Sequence, residues 1–200
     1  MIKAIIFDWG GVLIDDPAPG LRAYCSKTLD VSVEEFSSAF REFGDSFQKG
    51  LIEEGELWKK VCAKLNVPYP KNKSLWGDAF IDTYRPKKEI FGLIEKLRIN
   101  KYKIGFLSNT EKAPMEFFFT QGYDMFDAKV FSCAEGTTKP EKDIYELILE
   151  RLGVEASEAV FIDDRQDYID GAIKAGLNTI LFKNPSQVVN ELEVLDINIK

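Results

Sequence analysis

An apolar run that ends on a single carboxylate and two glycines, Ile5-Ile6-Phe7-Asp8-Trp9-Gly10-Gly11, constrains this chain more than any other stretch. Residues 2 to 8 are almost wholly apolar up to Asp8 and do not alternate, which predicts a parallel strand covered on both faces. Two later runs have the same form: Phe106-Leu107 leads into Ser108-Asn109-Thr110, and Val160-Phe161-Ile162 into Asp163-Asp164. Ligands of open α/β sheets bind in the crevice beyond the carboxyl ends of the strands. Three polar strand tips therefore predict one shared site.

Between the first tip and the others the pattern changes. From about residue 18 to 84, Phe36, Phe40, Phe43 and Phe47 recur at helical spacing, as do Leu57, Val61 and Leu65, and no strand is evident. Helix and strand then alternate: a helix near 87 to 98, strand 102 to 107, helix near 113 to 121, strand near 128 to 132, helix near 141 to 152, strand 159 to 163, helix near 167 to 175 and strand 178 to 182. This alternation predicts an α/β fold with a doubly wound parallel sheet and helices on both faces. The expected division is an α/β core at 1–16 and 86–200 with an inserted helical cap at 17–85, bounded by Pro17, Pro19 and Pro86. The aromatic stripe reads as packed helix core rather than a cofactor pocket.

Composition narrows the function. The 26 basic and 33 acidic residues leave a net charge of -7, which disfavours nucleic acid and anionic lipid as partners. No apolar stretch is long enough to span a bilayer, and a strand beginning at residue 2 predicts a chain without a signal peptide, hence a cytoplasmic protein. Cys25, Cys62 and Cys133 are odd in number and widely spaced, and histidine is absent. Structural zinc, a disulfide framework and a His-based triad are thereby set aside. Any metal must be a hard cation held by oxygen.

Asp8, Ser108, Lys139 and the Asp163/Asp164 pair, in this order, resemble the four motifs of the haloacid dehalogenase-like hydrolase superfamily, over essentially the whole length. The resemblance implies a Rossmann-like core, a small helical cap after the first motif, and a nucleophile at Asp8. It further implies Mg²⁺ held by Asp8, the main-chain carbonyl of Gly10, Asp163 and Asp164. Chemistry agrees with this assignment. A phosphomonoester dianion repels a carboxylate, so an aspartyl nucleophile needs positive charge and donors around the phosphoryl oxygens. Mg²⁺, Lys139, the Ser108 hydroxyl and backbone amides around Trp9, Gly10 and Asn109 would supply them. The expected reaction is hydrolysis of a small-molecule phosphate ester through an aspartyl-phosphate; the number of subunits is not legible.

Each residue also has a plainer reading. Asp163-Asp164 suits a helix N-cap, Lys139 before Pro140 suits a solvated helix start, Ser108-Asn109 suits a turn, and Asp8 can simply end a strand. The chain also departs from most phosphatases of the superfamily, which carry a second Asp two residues after the nucleophile as general acid; here that residue is Gly10. Superfamily phosphatases similar to glucose-1-phosphatase also have Gly there, which points to sugar phosphates or other esters with easier leaving groups. Asp15, Asp16 and Glu111 are candidate replacement donors. A 2-haloacid dehalogenase, which uses the same Asp without metal, and a weakly active phosphometabolite-binding module are the alternatives. Phe47, Trp58 and Arg85 are candidates for reading the leaving group from the inner face of the helices.

Overall fold

The computed structural model describes residues 1–199. Strand β1 (Ala4–Phe7) is followed by five helices, α1 (Ala18–Thr28), α2 (Val33–Arg41), α3 (Gly44–Gln48), α4 (Glu54–Leu65) and α5 (Leu75–Thr83). The alternating part then runs α6 (Lys88–Ile99), β2 (Lys103–Ser108), α7 (Lys112–Thr120), β3 (Ala128–Phe131), α8 (Ser132–Glu135), α9 (Lys142–Leu152), β4 (Ala159–Asp163), α10 (Gln166–Lys174), β5 (Asn178–Leu181) and α11 (Pro185–Val194). The five strands form one parallel sheet in the order β3-β2-β1-β4-β5. Every predicted strand and helix of this part is present with its ends within one residue, and β1 starts two residues later than predicted. Helices α8 and α11 lie outside the predicted series. Helix α11 carries a local signature nonetheless: Asn184 caps it by accepting from the Gln187 amide, and Pro185 opens its first turn.

Strand period two sorts the core. Ile5 and Phe7 lie opposite Ile104 and Phe106 on β2 and Val160 and Ile162 on β4, and pack with Ile90 and Ile94 of α6 and Val188 and Leu192 of α11. Ala4 and Ile6 point the other way, into a cluster with Ile144 and Ile148 of α9 and Ile169 and Ala172 of α10. All four residues of β1 are fully buried. The absence of alternation in the sequence thus has a simple cause: both faces of the central strand are covered.

The first cluster continues without a break into α1–α5. Trp9 packs on Phe80 of α5 at 4.9 Å and edge-on to Phe118 of α7 at 5.4 Å, and Phe80 packs on Phe117. Helix α2 begins with a reciprocal capping box between Ser32 and Glu35. Glu54 gathers the block by accepting from Trp58 Nε1, Ser74 Oγ and the Trp76 amide at 2.6–2.8 Å. Phe36, Phe47 and Trp58 are buried as expected of a helix core. Among the described residues, no helix is long and apolar enough to cross a membrane.

Candidate active site

Asp8 leaves the sheet immediately after its amide bonds to Ile162 O at 3.0 Å, so its carboxylate sits at the carboxyl end of β1, between β2 and β4. The chain then turns tightly, with the Leu13 and Ile14 amides both donating to Trp9 O. Lys87, just beyond Pro86, pins this turn by donating to Gly11 O at 2.7 Å and Ile14 O at 2.8 Å. Gly11 is needed here on two counts. Its φ is +86°, and a Cβ would lie 2.1 Å from Asp164 Oδ2. The turn and the second acidic residue of β4 are thus in direct apposition.

Lys139 reaches in from the loop before α9. Its Nζ donates to Asp8 Oδ1 at 2.5 Å and Asp163 Oδ2 at 2.6 Å, with all three side chains at most 8% exposed. The plain reading of Lys139 as a solvated lysine is therefore wrong. Burial alone would lower the affinity of its amine for a proton; the carboxylates of Asp163 and Asp8 outweigh this and hold it as the ammonium. Burial pushes the Asp8 carboxyl up, Lys139 opposes the rise and Asp163 adds to it. Asp163 also accepts from the Arg165 amide at 2.9 Å, but the N-cap of α10 is Arg165, without a side-chain cap bond, so neither carboxylate is spent as the helix cap. Asn109 fixes the lysine loop: its side chain accepts from the Lys139 amide at 2.8 Å and donates to Lys139 O at 3.0 Å and Tyr168 Oη at 3.1 Å.

Asp8, Asp163 and Asp164 present carboxylate oxygens within 4.8 Å of one another. Three carboxylates against one ammonium leave two negative charges uncompensated when all are ionised. Burial first, then Asp163 and Asp16, raise the Asp164 carboxyl. An all-oxygen donor set with this charge deficit suits a hard divalent cation such as Mg²⁺.

A cavity of about 310 Å³ opens over these groups. Asp8, Trp9, Gly10, Ser108, Asn109, Lys139 and Asp164 border it, whereas Asp163 lies fully buried beneath. The Trp9 side chain belongs to the aromatic core, and among the described residues its Nε1 is the one buried side-chain polar atom without a partner. The far wall is different in kind. It comprises Leu21 and Arg22 of α1, Phe40 of α2, Gln48 of α3, Trp76 and Phe80 of α5, and Glu111 beside Ser108-Asn109-Thr110.

None of Phe47, Trp58 and Arg85 borders this cavity. Phe47 packs edge-on to Trp76, Trp58 is spent on Glu54, and Arg85 is exposed and donates to Tyr84 O. Phe40 and Trp76, stacked at 4.9 Å and 4°, do border it, although Phe40 belongs to the aromatic stripe that reads as helix core. Only the fold distinguishes the residues at the cavity end of such a stripe from those behind them. Of the candidate proton donors, Asp15 is outside, 3.5 Å from Lys87 Nζ. Asp16 borders the cavity but is exposed and accepts from the Ala18 amide. Glu111 borders it and is buried. Gly10 faces Pro17, whose Cδ would be 3.1 Å from an added Cβ, so the place of the missing second Asp is crowded by the start of the helical block.

Comparison with known proteins agrees with this geometry. The family model of haloacid dehalogenase-like hydrolases matches residues 2–176. The acyl-CoA dehydrogenase family member 10 of Mus musculus is 33% identical over 96% of the chain, which spans only 19% of that relative's length. The D-ribitol-5-phosphate phosphatase of Bacteroides thetaiotaomicron is 26% identical, with 98% of each chain covered. A haloacid dehalogenase family enzyme of the same organism, crystallised as a magnesium complex, superposes with a TM-score of 0.73 at 24% identity, covering 91% of this chain and 93% of that one. Four ordered motifs, one parallel sheet that converges them and a family match over most of the length lead to one conclusion: the chain belongs to the haloacid dehalogenase-like hydrolase family.

Proposed function

We propose that this chain is a Mg²⁺-dependent phosphatase of a small phosphorylated metabolite, a sugar or polyol phosphate, acting through an aspartyl-phosphate at Asp8. The observation that carries the reading is the cluster of Asp8, Asp163 and Asp164, with Lys139 bridging Asp8 and Asp163. A metal-free dehalogenase has no cation to hold there, and adjacent carboxylates would repel its carboxylate substrate. Bound through Asp8, Asp163, Asp164 and the Gly10 carbonyl, Mg²⁺ would supply Lewis-acid charge beside the phosphoryl oxygens.

The side chains do the rest. Asp8 attacks phosphorus in line with the leaving oxygen, the phosphorus–oxygen bond breaks, and water later cleaves the aspartyl-phosphate. Lys139 supports the developing charge, the Ser108 hydroxyl and the amides around Trp9, Gly10 and Asn109 donate to the phosphoryl group, and the Asn109 side chain keeps the Lys139 loop in place. Helices α1–α5 act as the cap, supplying the wall that meets the leaving group and excluding water. The D-ribitol-5-phosphate phosphatase relative supports the polyol class. Three unpaired thiols support a reducing compartment, the cytoplasm.

The test is phosphate release from sugar, polyol, acyl and aryl phosphates with Mg²⁺ or chelator, with Asp8→Asn as the blank. Release is expected with Mg²⁺ only, falling in the variant by on the order of 10⁴–10⁶-fold. Turnover by Asp8→Asn, or halide release from 2-haloacids without metal, would refute the reading.

A further inference from the structure

The cavity leaves one chemical task unassigned. A leaving alkoxide needs a proton, and the place after the nucleophile where a carboxyl would stand holds Gly10, with Pro17 against it. Four carboxylates border the cavity: Asp8, Asp16, Glu111 and Asp164. Asp8 and Asp164 belong to the cation-binding cluster. Asp16 is solvent-exposed and tied to the Ala18 amide. Glu111 alone is both buried, at 5% exposure, and uncommitted to the cluster.

We propose that Glu111 is the proton donor to the leaving-group oxygen, and afterwards the base toward the attacking water, in place of the side chain that Gly10 lacks. The inference rests on the phosphatase reading above. In the first half-reaction a bond forms between Asp8 and phosphorus as the ester bond breaks. The electron pair of the broken bond stays on the leaving oxygen, which takes the Glu111 proton and departs as an alcohol. In the second, a water oxygen bonds to phosphorus and the Asp8–phosphorus bond breaks. The water's proton returns to Glu111, inorganic phosphate leaves, and both carboxyl groups are restored.

The surroundings hold Glu111 in one place. Its Oε2 accepts from Trp76 Nε1 at 2.9 Å. Trp76 is itself fixed by the hydrogen bond its backbone amide donates to Glu54 and by stacking on Phe40. The carboxyl therefore stands where the helical block meets the strand-tip loop. Burial raises it above the ordinary carboxylate range, with hydrogen bonds from Trp76 and Gln48 opposing and the charge of Glu54 adding to the rise. A neutral carboxyl is the state a general acid requires. Its charge also acts on Cys133 of α8; the other ionisable groups around the cavity are Asp8, Asp16, Arg22, Lys139, Asp164, Arg165 and Tyr168, and neighbouring Lys112 is turned toward Glu53.

The experiment uses substituted phenyl phosphates graded in leaving-group acidity, with Mg²⁺, on the wild type and Glu111→Gln, which can still accept from Trp76. For the wild type, log kcat/KM should depend weakly on leaving-group acidity. For the variant the dependence should be steep, with a loss on the order of 10²–10⁴-fold on the poorest leaving group and almost none on the best. The basic limb of the wild-type pH profile of kcat/KM should vanish in the variant. Equal slopes in the two proteins would overturn the assignment. Should Glu111→Gln not fold, the wild-type slope decides alone: shallow supports Glu111, steep overturns it. Absence of Mg²⁺-dependent release by the wild type would instead remove the phosphatase reading itself.

Discussion

The two ends of the cavity are built on opposite principles. At the strand-tip end, Asp8, Lys139, Asp163 and Asp164 crowd ionised groups together, and order comes from charge: one buried ammonium bridges two carboxylates at 2.5 and 2.6 Å. At the far end Phe40, Trp76, Phe80 and Glu111 form an aromatic wall with a buried carboxyl on its rim, and order comes from packing and one indole hydrogen bond. The first end is organised around a charge deficit that a divalent cation can fill. The second buries its one carboxyl against aromatic rings without an ion pair, which favours a neutral acid and an uncharged leaving group. A phosphate ester has the same polarity, anionic at phosphorus and more weakly polar beyond it.

The largest expected effect comes from removing the charge that holds the first end together. Lys139→Met keeps the length of the side chain and leaves Asp8 and Asp163 buried without their counterion. Breaking such a pair costs about 3–5 kcal/mol, which urea unfolding in chelator would report. Added Mg²⁺ should recover part of that loss, because the folded state alone presents the clustered carboxylates. A variant as stable as the wild type in chelator would show that the ammonium is not what compensates this end. An equal matching loss in Glu111→Gln would erase the contrast between the ends.

These ends also differ in how plainly the sequence displays them. Asp8, Ser108 and Asp163 are legible because a strand-period run puts them at a tip, and parallel pairing of β2-β1-β4 brings three tips together whatever the helices do. Asp164 follows Asp163 at the same tip, whereas Lys139 needed the family resemblance, since nothing local tells a buried lysine from an exposed one. The far wall was opaque for a geometric reason. Phe40, Trp76 and Phe80 share the helical spacing of Phe36, Phe47 and Trp58, and which end of an aromatic stripe faces a cavity depends on how α1–α5 pack over the sheet. Glu111 was visible only as one of three nearby carboxylates; its burial beneath Trp76 is a tertiary fact. Helix α11 is a smaller case: its Asn184-Pro185 start is a local helix signal, but it lies beyond the strand and helix alternation that defines the sheet.

A smaller effect should follow from Gly11→Ala, which tests whether the turn and the cation cluster are one unit. The added Cβ meets Asp164 Oδ2 at a position with φ of +86°, so either the turn or the Asp164 side chain must move. Strain of this kind costs about 1–3 kcal/mol, and displacement of Asp164 should weaken Mg²⁺ binding measured by titration calorimetry. Unchanged Mg²⁺ affinity in a destabilised variant would detach Asp164 from the metal set. It would leave Lys139, Asp8 and Asp163 as a purely electrostatic core.

The smallest effect probes the neutral end through pH. Burial places the folded-state pKa of Glu111 above its unfolded value of about 4.5, so above that pH the native chain retains a proton that the unfolded chain has released. The sign follows: this group's contribution to stability is fully present below the unfolded pKa and declines as pH rises toward the folded one, by at most about 1.36 kcal/mol per pH unit. Glu111→Gln has no such titration. In urea unfolding from about pH 5 to pH 8, the stability of the variant relative to wild type should therefore climb with pH and level off once the wild-type carboxyl ionises in the folded state. Titrations at the strand-tip end, including Asp8 and Asp164, are common to both proteins and cancel in the difference. A flat difference would mean that Glu111 is already ionised when folded. The far wall would then hold a buried charge, and the contrast between the two ends, with the acid role built on it, would fall together.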